Sequence, residues 1–249
     1  MCSSDLSPLW EEMVRMGCTL SRPTPHTVRC QGRLHPGLYT IEAGISSQFI
    51  TGLLFAAALI PGESQIQLTG KVESRPYIAM TQQAMALFGK NTDNFTLTGG
   101  TPFHTPGTLT VEGDWSNAAF FLAAKNLGND IKISNLNQNS PQGDRAIEPL
   151  LEALEENTTI DASDNPDLIP ILSVYSAFKN GAVFTNIQRL RLKESDRVAS
   201  ILSMLEALGG KAEATENTQI VHPVALQGGI VDSRLKVVSQ LIKTQRTHC

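Results

Sequence analysis

The 249-residue chain has 41% hydrophobic and 18% charged residues, ordinary globular proportions with enough length for one or two domains. Its net charge of −4 gives no broad basic surface, so nucleic-acid binding is not expected and any anion site must be local. Cys2, Cys18, Cys30 and Cys249, like the five scattered histidines, lack metal-ligand or paired spacing, which argues against a zinc site or a disulfide framework and fits a reducing cytoplasm. Residues 1–6 are too short and polar for a secretory leader, and the longest apolar run, 53–60, is too short to span a bilayer.

Ser7-Pro8 predicts a helix over 7–17, with serine as N-cap, proline at N1 and a terminal Gly17. Two β-like runs follow, 27–31 and 38–42. Gly44-Ile45-Ser46-Ser47-Gln48 opens an apolar helix over 49–60, stopped by Pro61-Gly62. A strand over 64–68 leads through Ser74-Arg75-Pro76-Tyr77 into a second helix ending near Phe88-Gly89. The pattern then repeats. Strands over 95–98 and 108–112 lead to Gly113-Asp114-Trp115-Ser116-Asn117 and a helix over 118–127; a strand over 130–134, a loop and a helix over 145–155 follow. A third pass runs strand 158–162, Asn165-Pro166-Asp167, helix 168–179, strand 183–187 and helix 198–208.

The helix-start pairs Ser46/Tyr77, Ser116/Arg145 and Asp167/Asp196 are 31, 29 and 29 residues apart. In each pair the first helix is apolar and expected to be buried all round, while the second is amphipathic, with Ile201, Leu202, Leu205 and Leu208 as the last stripe. Such repetition predicts βαβαββ units packing their apolar helices together. No GxGxxG or P-loop supports a nucleotide-binding alternative.

Chemistry concentrates at Arg189-Leu190-Arg191-Leu192-Lys193-Glu194-Ser195-Asp196-Arg197, where six of nine residues are charged. A helix starting near Lys193 would put Lys193 and Arg197 on one face. The plain alternative is a solvated first turn stitched by Glu194–Arg197. Ser46, Ser47, Gln48 and Ser74 stand at helix starts, where hydroxyls join free N–H groups to receive phosphate; alternatively they are simple N-caps. Asp167 and Glu194 could serve as base and acid if their surroundings separate their pKa values. Together these groups suit a small polyanion.

The segments Ser46-Ser47-Gln48-Phe49-Ile50-Thr51, Ser74-Arg75-Pro76-Tyr77-Ile78, Val111-Glu112-Gly113-Asp114-Trp115-Ser116, Asn165-Pro166-Asp167 and Arg191-Leu192-Lys193-Glu194-Ser195-Asp196-Arg197 resemble EPSP synthases (3-phosphoshikimate 1-carboxyvinyltransferases), in order and at about the family's spacing, over residues 7–233. The resemblance implies inside-out α/β domains built from βαβαββ units: a partial upper domain over 1–112, a partial lower one over 113–233, and a non-matching tail over 234–249. It implies transfer of the enolpyruvyl group of phosphoenolpyruvate to the 5-hydroxyl of shikimate 3-phosphate, releasing phosphate, in aromatic amino acid biosynthesis. Ser46, Ser47 and Ser74 would hold the shikimate phosphate, with Lys193 also contacting shikimate 3-phosphate, and Gln48 would touch both substrates. Asp167 would bind shikimate hydroxyls and accept the proton, Arg197 would meet phosphoenolpyruvate, and Glu194 would transfer a proton at its methylene carbon. No metal or organic cofactor is implied, and a monomer is expected at full length.

Departures from the family pattern lie at both ends. The Lys-Ser and Asn-x-Gly-Thr segments are absent, Asp5-Leu6-Ser7 stands where an arginine is expected, and Arg234-Leu235-Lys236 replaces Asp-His-Arg. The expectation is therefore a chain truncated at both ends and inactive alone, with apolar faces such as that of helix 49–60 left open to aggregation. The competing readings are a UDP-N-acetylglucosamine enolpyruvyl transferase and a non-catalytic anion-binding repeat module.

Overall fold

The structure is a computed structural model describing residues 6–72, 74–156, 158–192 and 196–231, with a division into two compact units between Thr110 and Val111. Lys193, Glu194 and the predicted tail 234–249 lie outside the described residues.

The first unit opens with α1 (Ser7–Arg15). Leu6 takes the cap position and Ser7 is the first helical residue, so the expected serine cap does not form; Pro8, locked near helical φ, starts the turn without it. Glu12 anchors the helix. Its buried carboxylate accepts from Arg15 at 2.8 and 2.6 Å and from the Thr40 backbone N–H. Next comes an antiparallel ribbon, β1 (Cys18–Thr24) and β2 (Thr27–Gly32), turning at Pro25-His26. The sequence reading missed β1 because most of the ribbon faces water, so no alternation marks it.

β3 (Leu38–Glu42), α2 (Ser47–Leu59), β4 (Gly62–Thr69), α3 (Arg75–Leu87) and β5 (Thr96–Gly99) complete the unit, with sheet order β3-β4-β5. β3 and β4 run parallel, which requires the crossover that α2 supplies; β5 is antiparallel to β4. Tyr39, Ile41 and Ile66 point from the sheet onto Phe49, Ile50, Leu53 and Leu54 of α2 and Ile78 and Met85 of α3. Each such large side chain contributes about 1.5–3 kcal/mol by leaving water.

The second unit contains α4 (Trp115–Asn126), a 3-10 turn (Gly143–Ala146) running into α5 (Ile147–Ala153), β6 (Thr158–Asp161), α6 (Ile169–Phe178) and β7 (Ala182–Thr185). A second 3-10 turn (Gln188–Leu192), α7 (Arg197–Ala207), β8 (Lys211–Ala214) and β9 (Thr218–His222) follow. The sheet order is β6-β7-β9-β8, with β6 parallel to β7 and β9 antiparallel to both neighbours. Sequence reading did not anticipate the β8–β9 hairpin.

Two predicted strands do not form. Residues 108–112 and 130–134 have no ladder among the described residues, and only the Gly113 N–H to Asn135 carbonyl bond, at 2.8 Å, joins their ends. A β-like composition selects a pleated, half-buried surface, but a strand also needs a hydrogen-bonding neighbour.

Burial corrects a third expectation. Of the three apolar helices only α6 is buried over all of residues 169–177, because β7 and β9 cover one side and α4, α5 and α7 the others. α2 packs on β4, β5 and α3 but leaves Phe55 43% and Leu59 60% exposed, and α4 leaves Phe121 44% exposed. The stripe of α7 holds: Ile201, Leu205 and Leu208 are buried and Leu202 is partly so. No helix among the described residues is long and apolar enough to cross a membrane.

Candidate functional site

The predicted site residues fall into two groups, one in each unit. In the first, α2 and α3 pack together, for the Thr51 hydroxyl, one turn into α2, lies 2.9 Å from the Thr81 hydroxyl, nearly two turns into α3. At these starts the Gln48 and Phe49 N–H groups turn back to Ser46 and the Tyr77 N–H to the Ser74 carbonyl. Ser46 caps α2, its Oγ accepting from the Gln48 N–H at 3.3 Å. This is the plain structural role foreseen for such a serine, and the hydroxyl hydrogen is still available to an anion. Ser47 is half-buried as the first helical residue, and Gln48 is exposed. Ser74 is buried before α3, in the left-handed region with φ of 54°, an uncommon conformation for a residue with a Cβ.

In the second unit the charged stretch is organised differently from the expectation. Asp196 caps α7, accepting from the Ala199 N–H at 3.0 Å, so the helix starts at Arg197 and not near Lys193. Lys193, and with it the expectation that it shares a helical face with Arg197, lies outside the described residues. Arg191 is a strap: it reaches Asp196 at 3.2 Å and the Thr215 carbonyl at 2.8 Å. Arg197 donates to the carboxylate of Asp167, which sits in the turn before α6. Of the expected second group, Asp167 and Arg197 are thus brought together.

Sequence reasoning missed the residues around that pair. Asp144 is a buried carboxyl, 4% exposed, receiving the Ser116 hydroxyl at 2.6 Å. Burial pushes its pKa above the ordinary aspartate value, the Ser116 bond pulls it back, Asp167 and Asp114 push it further up, and Arg197 opposes them. Glu112 is a hub. Its carboxylate accepts from Ser140 Oγ at 2.5 Å, Gln142 Nε2 at 2.9 Å and Asn137 Nδ2 at 2.7 Å, and the bonds from Ser140 and Gln142, chiefly, hold its pKa below the ordinary glutamate value. The Gln142 side chain also donates to the Gly113 carbonyl at 3.0 Å and accepts from the Trp115 N–H at 2.9 Å. Gly113 itself has no room for a side chain, since a Cβ would lie 2.5 Å from the Asn135 carbonyl oxygen. The available signal was Gln142-Gly143-Asp144 standing just before a helix, a polar loop whose partners lie 25 to 30 residues away.

Two βα-repeats, one per unit, with polar helix starts define an α/β protein of the enolpyruvyl transferase-like class. An EPSP synthase from Acinetobacter baumannii has the same fold, with a TM-score of 0.71 over 95% of this chain and 63% of that one, at 18% identity. The family model described as EPSP synthase (3-phosphoshikimate 1-carboxyvinyltransferase) matches residues 23–236. Relatives named 3-phosphoshikimate 1-carboxyvinyltransferase are similar throughout: the one from Clostridium novyi is 33% identical over 86% of this chain and 54% of its own length. That from Clostridium acetobutylicum is 36% identical over 83% and 53%. The chain belongs to the EPSP synthase family. It spans about half the length of the curated relatives it matches.

Proposed function

We propose that the chain contributes to transfer of the enolpyruvyl group of phosphoenolpyruvate to the 5-hydroxyl of shikimate 3-phosphate, the step of aromatic amino acid biosynthesis that its relatives' name describes. The observation that carries this reading is the packing of α2 on α3 through Thr51 and Thr81, with Ser46, Ser47 and Gln48 at the start of one helix and Ser74 at the start of the other. Ser46, Ser47 and Ser74 then hold the phosphate of shikimate 3-phosphate and Gln48 contacts both substrates. Asp167 binds the shikimate hydroxyls and takes the proton from the attacking one; Lys193 contacts shikimate 3-phosphate. Arg197 meets phosphoenolpyruvate, and Glu194 delivers the proton to its methylene carbon. These roles balance the addition, in which the attacking hydroxyl loses a proton and the methylene carbon gains one; phosphate then leaves as its C–O bond breaks and the new methyl group gives a proton back, restoring the double bond, while cations fix the two anions.

With half the length of its relatives, the 249-residue chain alone is proposed to bind shikimate 3-phosphate without turnover. In the cell the reaction is placed in the cytoplasm and the full-length protein is taken as a monomer. Calorimetric titration tests the reading: shikimate 3-phosphate should bind saturably and UDP-N-acetylglucosamine should not. Binding of the UDP-sugar alone would favour the related amino-sugar transferase, and binding of neither would leave only an anion-binding repeat. Phosphate release at the rate of a full-length enzyme would overturn the proposed inactivity.

A further inference from the structure

Cys18 and Cys30, the free cysteines among the described residues, take no part in the proposed reaction. In the β1–β2 ribbon Cys18 faces Gly32, and Leu20 faces Cys30. Side chains two residues apart share one face of a strand, so the two thiols are diagonal neighbours on the same face of the ribbon. Gly32 puts no side chain opposite Cys18; a Cβ there would lie 3.4 Å from the Cys18 Cα. The Cys18 thiol has that space to lean across, and it is hydrogen-bonded with Cys30.

The two thiols have opposite settings. Cys30 is exposed, in a strand exposed along its whole length, whereas Cys18 is buried. A solute therefore meets Cys30 first. Burial, and then the Cys30 contact, raise the Cys18 thiol above its ordinary pKa, which keeps it protonated until a partner sulfur is presented to it. From Cys18 to Arg33 the chain carries Arg22, His26, Arg29 and Arg33, all exposed, and no carboxylate side chain. In a chain of net charge −4 the ribbon is a local cationic surface, which favours the approach of an anionic solute.

We propose that Cys30 and Cys18 form a reversible thiol–disulfide site: Cys30 takes an anionic, low-molecular-weight disulfide, and Cys18 resolves the adduct into a cross-strand bridge. The Cys30 sulfur attacks one sulfur of the small disulfide and expels the other, leaving a mixed disulfide. The Cys18 sulfur then attacks Cys30 and expels the second small thiolate. Two protein thiols are oxidised to one disulfide, the small disulfide is reduced to two thiols, and the two protein thiol protons pass to the leaving thiolates. A regular ladder sets diagonal Cα atoms roughly 7–8 Å apart, beyond the about 4.4–6.8 Å of a relaxed disulfide, so closing the bridge draws the strands together. The ribbon can yield, because it is exposed and its register shifts between Ser21 and Thr24. A bridge closed against the ladder at the surface is of the readily reduced kind, as a reversible site requires.

The test is incubation of the folded 249-residue chain with oxidised glutathione, then alkylation of the remaining thiols, tryptic digestion and mass spectrometry. Cleavage after Arg15, Arg29 and Arg33 places the two cysteines in separate peptides, 16–29 and 30–33. The expected product is these two peptides joined by a disulfide, lost on adding dithiothreitol. Along the time course a glutathione adduct on Cys30 should rise and then decline as the joined pair appears. Cys18→Ser should stop at that adduct, and Cys30→Ser should leave Cys18 unmodified. A wild-type chain that keeps glutathione on Cys30 while Cys18 remains alkylatable would overturn the proposal, as would linkage of either residue to Cys2 or Cys249 instead. In urea the joined pair should form more slowly, because the unfolded chain no longer holds the thiols side by side; an equal rate would refute a site built by the ribbon. None of these readouts depends on binding of shikimate 3-phosphate.

Discussion

Arg197 donates to the carboxylate of Asp167 across 30 residues of sequence, tying the first residue of α7 to the turn before α6. Both side chains are mostly buried, at 20% and 29% exposure, so the pair is shielded from salt far better than a surface ion pair. Under the proposed contact of Arg197 with phosphoenolpyruvate, substrate and Asp167 would compete for the same guanidinium.

Arg197→Ala deprives Asp167 of that cation and should cost about 1.5–3 kcal/mol of stability, the range for a hydrogen bond to a charged group. Urea unfolding measures it. In a double-mutant cycle with Asp167→Asn the two losses should fall short of additivity, and Arg197→Lys should restore only part of the loss because a point charge lacks the planar fork.

Glu112→Ala leaves Ser140, Gln142 and Asn137 without their shared acceptor and should destabilise by about 1–3 kcal/mol. The sign with pH follows from a folded pKa held below the unfolded one. The contribution is full above the ordinary glutamate pKa and is lost as pH falls through the depressed folded value. Wild type and variant should therefore converge in stability on acidification, as seen in urea midpoints across the acid range; a gap that widens would contradict the assigned direction.

Gly99 lies in β5 against the end of α2, where an added Cβ would sit 2.1 Å from the carbonyl oxygens of Ala57 and Ile60. These are backbone atoms and cannot swing aside. Gly99→Ala should force β5 away from α2 and cost about 1–3 kcal/mol, read as a lower thermal midpoint.

Ser74→Gly separates strain from recognition. Glycine accepts the left-handed backbone at φ of 54° without the Cβ penalty of about 1–2 kcal/mol, offsetting the lost hydroxyl, so unfolding should change by less than about 1 kcal/mol. Affinity for shikimate 3-phosphate should nevertheless fall about tenfold, the equivalent of one lost hydrogen bond near 1.4 kcal/mol. Unaltered affinity would remove Ser74 from the phosphate site.

What the sequence determined by itself was the local grammar. Helix starts at Ser46 and Asp196, the apolar character of α6 and the stripe of α7 follow from short-range rules of capping and periodicity, and the motifs around Ser46, Ser74, Asp167 and Arg197 carry the family. It could not separate strand from loop at 108–112 and 130–134, because a ladder needs a partner chosen elsewhere in the fold. Nor could it tell that α6 is enclosed while α2 exposes Phe55 and Leu59, since equally apolar helices differ only in how many neighbours surround them. The site divides the same way. Asp167 and Arg197 were legible as residue types, but their direct contact and the burial of Asp144 against Ser116 were decided by tertiary structure alone. Electrostatics depends on distance and dielectric, and neither is written in the order of the residues.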